Sequence, residues 1–146
     1  NHPTQFAGYP ITSPQGFPLP VYKQVTLTLD FKRNIPRLIR SLKPDLIHVS
    51  SPSCLLLPAI WWARVFGIPL VMSYHTDMAG YTKTYFPLIP NVMASLANYL
   101  NRKFHEYADL TLCTSPQLKE NLQALGVRRV DVWQKGINNK VSIFCD

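Results

Sequence analysis

Between Ile35 and Trp133, short apolar runs alternate with amphipathic stretches, and this alternation restricts the fold more than any other feature of the 146 residues. Ile35, Leu38, Ile39 and Leu42 share one face of a helix that Asp30 or Asn34 can cap, with Pro36 in its first turn. Its other face carries Arg37 and Arg40, and either solvation or contact with an acidic surface accounts for them. Lys43-Pro44-Asp45 is a turn, and Leu46 to Val49 reads as a strand. Ser50-Ser51-Pro52-Ser53 reads as a polar loop whose Ser53 can cap a helix ending near Phe66. Gly67-Ile68-Pro69 breaks that helix, and a strand follows to Tyr74. A helix from about Asn91 to Tyr107 is expected to turn Val92, Leu96, Leu100 and Phe104 inward. Asp109 to Thr114 is a further strand. Ser115 and Pro116 open a helix to Leu125 that Gly126 ends, and Arg129 to Trp133 closes the series as a short strand. Helix and strand in strict turn call for a parallel sheet with right-handed crossovers. The fold class is α/β, a Rossmann-like domain with helices on both faces.

Three segments follow from this pass. Residues 1–20 are punctuated by Pro3, Pro10, Pro14, Pro18 and Pro20 and read as an irregular lead-in. Residues 21–137 hold the domain, beginning with Val21 to Leu29 as a short strand or an extended approach to the first helix. Residues 138–146 form a tail without a period. Ser53 to Met72 is apolar over roughly the length a bilayer crossing needs. Pro58, Arg64 and the break at Gly67 divide it, so it reads as a buried helix followed by a buried strand. No basic and apolar leader is legible at the start of the sequence.

Fifteen Lys and Arg against eight Asp and Glu give a net charge of +7, which favours an anionic partner. Phosphates and an acidic lipid surface fit better than nucleic acid, because no dense basic run with interleaved aromatics occurs. Cys54, Cys113 and Cys145 show neither a zinc spacing nor a disulfide framework, and the first two read as buried thiols. His2, His48, His75 and His105 form no ligand pair at helical spacing, so no metal and no cofactor is expected.

Chemistry is expected after Pro69-Leu-Val-Met72. There the chain turns polar through Ser73, Tyr74, His75, Thr76 and Asp77. Ligands of open α/β sheets bind outside the carboxyl ends of the strands. The bland alternative is that His75 merely ends a strand and bonds a neighbouring carbonyl. The fingerprints of dinucleotide and phosphate-loop proteins are both missing.

Five segments in this order carry a resemblance: Lys43-Pro44-Asp45-Leu46-Ile47-His48, Ser50-Ser51-Pro52, Ser73-Tyr74-His75-Thr76, Ala108-Asp109-Leu110-Thr111 and Trp133-Gln134-Lys135-Gly136-Ile137. Together they resemble the N-terminal domain of family-4 retaining glycosyltransferases with two Rossmann domains (the GT-B type), over roughly residues 17–138. The resemblance implies an enzyme that transfers a sugar from a nucleotide-sugar donor to an acceptor hydroxyl with retention. It implies that this half shapes the acceptor side, with His75 catalytic in the cleft and Ser50, Ser51, Tyr74, Thr76, Lys135 and Gly136 binding substrate. Histidine can bond a sugar hydroxyl or donate a proton near neutral pH. Within the family the sulfolipid-synthesising branch is the nearest likeness. It implies sulfoquinovose passing from UDP-sulfoquinovose to a lipid acceptor, diacylglycerol, at a plastid membrane.

The departures are specific. The family's first strand with its glycine-containing loop, and its donor-binding half, have no counterpart here, so the chain reads as a fragment that would not turn over alone. After Ile137 the sequence drifts from the family pattern. Two alternatives stand beside the sulfolipid reading: a mannosyl- or glucosyltransferase of the same family, and a non-catalytic Rossmann-like binding module. Tyr81, Tyr85, Phe86 and Leu88 either fill core or dip into an acidic membrane.

Overall fold

The computed structural model describes residues 5–6, 8–11, 16–18, 26–28, 34–75, 77, 80 and 88–133. Four short strands come first. β1 (Gln5–Phe6) pairs antiparallel with β2 (Tyr9–Pro10), and β3 (Gly16–Pro18) with β4 (Thr26–Thr28). The lead-in expected to be irregular thus holds the pair β1–β2 and the strand β3, while β4 falls within Val21 to Leu29, where a short strand was one of the two readings. Two or three residues are too few for alternation to register in the sequence, and Gly8, at φ 84°, turns the chain between β1 and β2.

From there the elements run α1 (Asn34–Leu42), β5 (Ile47–Ser51), α2 (Leu56–Phe66), β6 (Leu70–Tyr74), α3 (Pro90–Glu106), β7 (Leu110–Cys113), α4 (Pro116–Ala124) and β8 (Val130–Val132). The four long-range strands form one parallel sheet in the order β5-β6-β7-β8. This is the α/β, Rossmann-like sheet that the alternation calls for. The register places Ile47 beside Leu70, Val49 beside Met72 and Ser51 beside Tyr74, then Tyr74 beside Cys113 and Cys113 beside Val132. Side chains of such a row share a face.

One face packs. Leu56, Ala59, Ile60 and Ala63 of α2 meet Leu70, Met72, Ala108 and Phe104. Leu118 and Leu122 of α4 meet Tyr74, Cys113, Val130 and Val132. All three crossover helices therefore lie on this side. The reason is topological: strands added in sequence order through right-handed crossovers deliver every helix to one face, and only a reversal of strand order would change sides. No reversal occurs between β5 and β8.

Local signals fix the ends of the elements. Gly67, at φ 66°, ends α2, with Ile68 N–H donating to Ala63 O at 2.8 Å. The Ser115 hydroxyl accepts the Leu118 N–H at 3.3 Å, and Pro116 opens α4. At α2 the expected cap shifts. Ser53 Oγ accepts the Leu55 N–H at 3.1 Å, but the helix begins only at Leu56, with Leu55 at its cap position. The stretch from Ser53 to Met72 divides into α2 and β6 as read from Gly67. However, α2 is not buried all round, because Leu57, Trp61 and Val65 face outward. Cys113 is buried as expected, whereas Cys54 is only half-buried.

The stripe expected on α3 is out of phase. Of its four residues Phe104 packs against the core, but Val92, Leu96 and Leu100 are exposed, and Asn101 and His105 are the buried side chains. Hydrogen bonding helps decide the phase, because Asn101 and His105 bond into the sheet side. Asn101 Nδ2 donates to Tyr74 Oη at 3.3 Å, and His105 Nδ1 meets Thr111 Oγ1 at 3.0 Å.

Candidate functional site

β5 is longer at its carboxyl end than the sequence suggested. Ser50 and Ser51 belong to the strand rather than to a loop, because each pairs with a residue of β6, Ser50 with Ser73 and Ser51 with Tyr74. Their side chains then part by alternation. Ser50 and Ser73 project on the side away from the helices, whereas Ser51 and Tyr74 project toward them.

On the first side a short polar line forms. Ser73 Oγ donates to Ser50 Oγ at 3.4 Å, and His75 Nε2 lies 2.8 Å from Ser73 Oγ. The Ser73 hydroxyl thus lies between the Ser50 hydroxyl and the imidazole, and the tautomer of His75 decides whether Nε2 donates or accepts. The His75 backbone N–H donates to Ser51 O at 3.4 Å, extending the ladder one step beyond β6. The ring is thereby held from both ends. Ser73 is almost fully buried and His75 half-buried, so the line runs from the strand interior to the rim. At the same edge Trp133 follows β8, its N–H donating to Cys113 O at 2.8 Å, with its ring edge-on to His48 at 5.8 Å.

Tyr74 is not brought to this line. Its ring is buried on the helix side, edge-on to His105 at 5.6 Å, with its hydroxyl bonded by Asn101. It borders a cavity of about 280 Å³ between α3 and α4, whose walls include Asp77, Asn98, Leu118 and Asn121. Ser51 is buried as well and contributes its carbonyl rather than its hydroxyl to the His75 backbone. Thr76, Lys135 and Gly136 lie outside the described residues, as do Tyr81, Tyr85 and Phe86. Leu88 lies within them and is 95% exposed, so it fills no core.

Ser73 is the member of the line that residue-by-residue reading passed over. The signal was available, since residues i and i+2 of a strand share a face, and Ser73 stands two before His75. The Asp109 carboxylate, part of a matched segment, has a structural role: Oδ2 accepts the Leu70 N–H at 2.8 Å and ties the start of β7 to β6. Among the described residues no three His, Cys, Asp or Glu side chains gather to hold a metal ion.

A hydroxyl, a hydroxyl and an imidazole in line can orient a polyhydroxylated ligand and hold or pass a proton at the histidine. Comparison with known proteins bears on which ligand. The model of Glycosyltransferase Family 4 matches residues 2–141. The chain is 34% identical to the sulfoquinovosyl transferase of Arabidopsis thaliana, over 94% of its own length and 27% of that relative. It is 36% identical to a GDP-mannose-dependent alpha-mannosyltransferase of Mycobacterium tuberculosis, over 70% of its length and 26% of the relative's. The protein of that name in Mycolicibacterium smegmatis is 35% identical, with 70% and 28% covered. The chain thus spans about a quarter of the length of these relatives. No solved structure gives a significant match.

Proposed function

Because this chain belongs to glycosyltransferase family 4, we propose that it forms the acceptor-side part of an enzyme moving a sugar from a nucleotide-sugar donor to a lipid, with retained configuration. The proposed donor is UDP-sulfoquinovose and the proposed acceptor diacylglycerol. The observation that carries the site is the line Ser50–Ser73–His75 at the carboxyl ends of β5 and β6. In this reading the strand ends that carry Ser50, Ser73 and His75 border the cleft in which the transferred sugar lies. Ser73 and Ser50 keep the imidazole in its orientation. Donor phosphates would be neutralised by groups of the remaining protein, as departure of a diphosphate is mainly an electrostatic problem.

A lipid acceptor is supported by the outward faces of α2 and α3. Leu57, Trp61 and Val65 on one helix, and Val92, Leu96, Tyr99 and Leu100 on the other, are exposed, with Leu88 just ahead of α3. Apolar surface on this scale, on a chain of charge +7, suits an acidic bilayer. Among the described residues no helix is long and apolar enough to cross a membrane. A plastid setting belongs to the same proposal.

A second reading has its own support, since the mycobacterial relatives are named for GDP-mannose. The full-length protein should be offered UDP-sulfoquinovose or GDP-mannose, with diacylglycerol in vesicles. Transfer from the first donor alone is the expected result. Transfer from GDP-mannose alone would replace the sulfolipid reading with the mannosyl one, and no transfer from any nucleotide sugar would leave a binding module.

A further inference from the structure

At the amino ends of β7 and β8 a cavity of about 400 Å³ opens, lined by Arg102, His105, Glu106, Gly126, Arg128 and Arg129. This is the opposite end of the strands from His75, roughly 15 Å away at about 3.3 Å per strand residue. Part of its basic lining has a structural purpose. Arg129 donates from Nε and Nη2 to Ala108 O, at 3.0 and 2.6 Å, and from Nη2 to Glu106 O at 3.3 Å. A cation there offsets the carbonyl end of α3. Arg102 donates from Nε to Glu106 Oε1 at 3.2 Å.

These bonds leave donors over. They use neither terminal nitrogen of Arg102 and not Nη1 of Arg129, and Arg128 has no hydrogen bond or ion pair among the described residues. The one carboxylate of the lining is already occupied. Lys103 and Arg102 both bond Glu106 and hold its carboxyl below the usual range. Three guanidinium groups thus stand against one neutralised carboxylate.

One further feature points to a ligand. His105 is 2% exposed and lines the cavity, with Nδ1 bonded to Thr111 and Nε2 buried without a hydrogen-bond partner among the described residues. Gly126, at φ 94°, turns the chain out of α4 and leaves the wall beside Arg102 without a side chain. A pinned guanidinium with spare N–H groups is a preorganised fork for an oxyanion, and a free arginine beside it can close on the same ligand.

We propose that this cavity is a second binding site, taking a phosphate-type oxyanion at the end of the sheet away from the Ser50–Ser73–His75 line. The anion's source is a soluble phosphate or the phosphate of a lipid headgroup. Arg128 is the residue to change, because no contact of the fold depends on it. The test titrates the full-length protein with inorganic phosphate at constant ionic strength, and separately with phosphatidylcholine vesicles with and without phosphatidic acid. Arg128→Ser should weaken binding about tenfold or more while leaving the phosphate-free melting temperature unchanged. Arg37→Ser, which removes an equal charge from α1, should leave binding unaltered. Loss with free phosphate assigns a soluble ligand, and loss only with phosphatidic acid vesicles assigns a lipid one. Equal weakening by both variants, binding unaffected by Arg128→Ser, or no binding of either probe by the parent protein would overturn the proposal.

Discussion

Ser73 and Tyr74 are adjacent in sequence, yet one hydroxyl bonds His75 and the other bonds Asn101 on the opposite side of the sheet. Strand geometry separates them, and a motif read as a string cannot. His75 and Ser50 were legible as candidates because polar residues gather where a buried strand ends. Tyr74 was misplaced because its hydroxyl looks like a ligand group until the register assigns its face. His105 was not singled out at all, since a histidine inside an amphipathic helix gives no sign of burial. Burial lowers its pKa from 6.5 to about 4. The native state therefore holds the ring neutral, and the unfolded chain takes up the proton first as pH falls. The associated stability, on the order of 3 kcal/mol, is complete above pH 6.5 and is lost as pH falls toward 4. Urea unfolding at pH 7.5 and pH 4.5 should show a smaller drop for His105→Leu than for the parent protein. Equal drops would mean that His105 does not drive the acid loss.

At the scale of elements, α3 teaches the most. Large apolar residues define one stripe, of which Val92, Leu96 and Leu100 are exposed and only Phe104 packs, while the polar Asn101 and His105 are buried. Periodicity weighs size and hydropathy, so it misses a buried position filled by a side chain that hydrogen-bonds inward. Leu96→Gln should then change stability by less than about 0.5 kcal/mol in denaturant unfolding, as surface changes usually do. Asn101→Ala removes the buried bond to the Tyr74 hydroxyl and should cost about 1 kcal/mol or more. The reverse ranking would restore the stripe read from hydropathy. Helix ends were legible because their signals are local. Gly67 closes α2 with open space around its Cα, so Gly67→Ala should cost only the left-handed backbone term, about 1–2 kcal/mol by thermal melting.

For the whole molecule, the alternation of elements sufficed for a parallel α/β sheet, because connection handedness leaves few other ways to bury so many half-apolar segments. The short strands β1, β2 and β3 were hidden by brevity and by proline, whereas β4 falls within Val21 to Leu29, where a short strand was one of the two readings. Strand order, and with it the sharing of one face by α2, α3 and α4, depends on which edge each new strand joins, and no local residue encodes that. The same order gathers Ser50, Ser73 and His75 from two strands into one line at the carboxyl edge. The most direct test of that line is the kcat for sugar transfer by full-length Ser73→Ala and His75→Ala beside the parent enzyme, with the accepted donor saturating. If Ser73 positions the imidazole, Ser73→Ala should lower kcat about tenfold, near 1.4 kcal/mol, with little change in KM or melting temperature, and His75→Ala should lower it further. Parent-like kcat in both variants would contradict the account and return His75 to the role of a strand-ending residue.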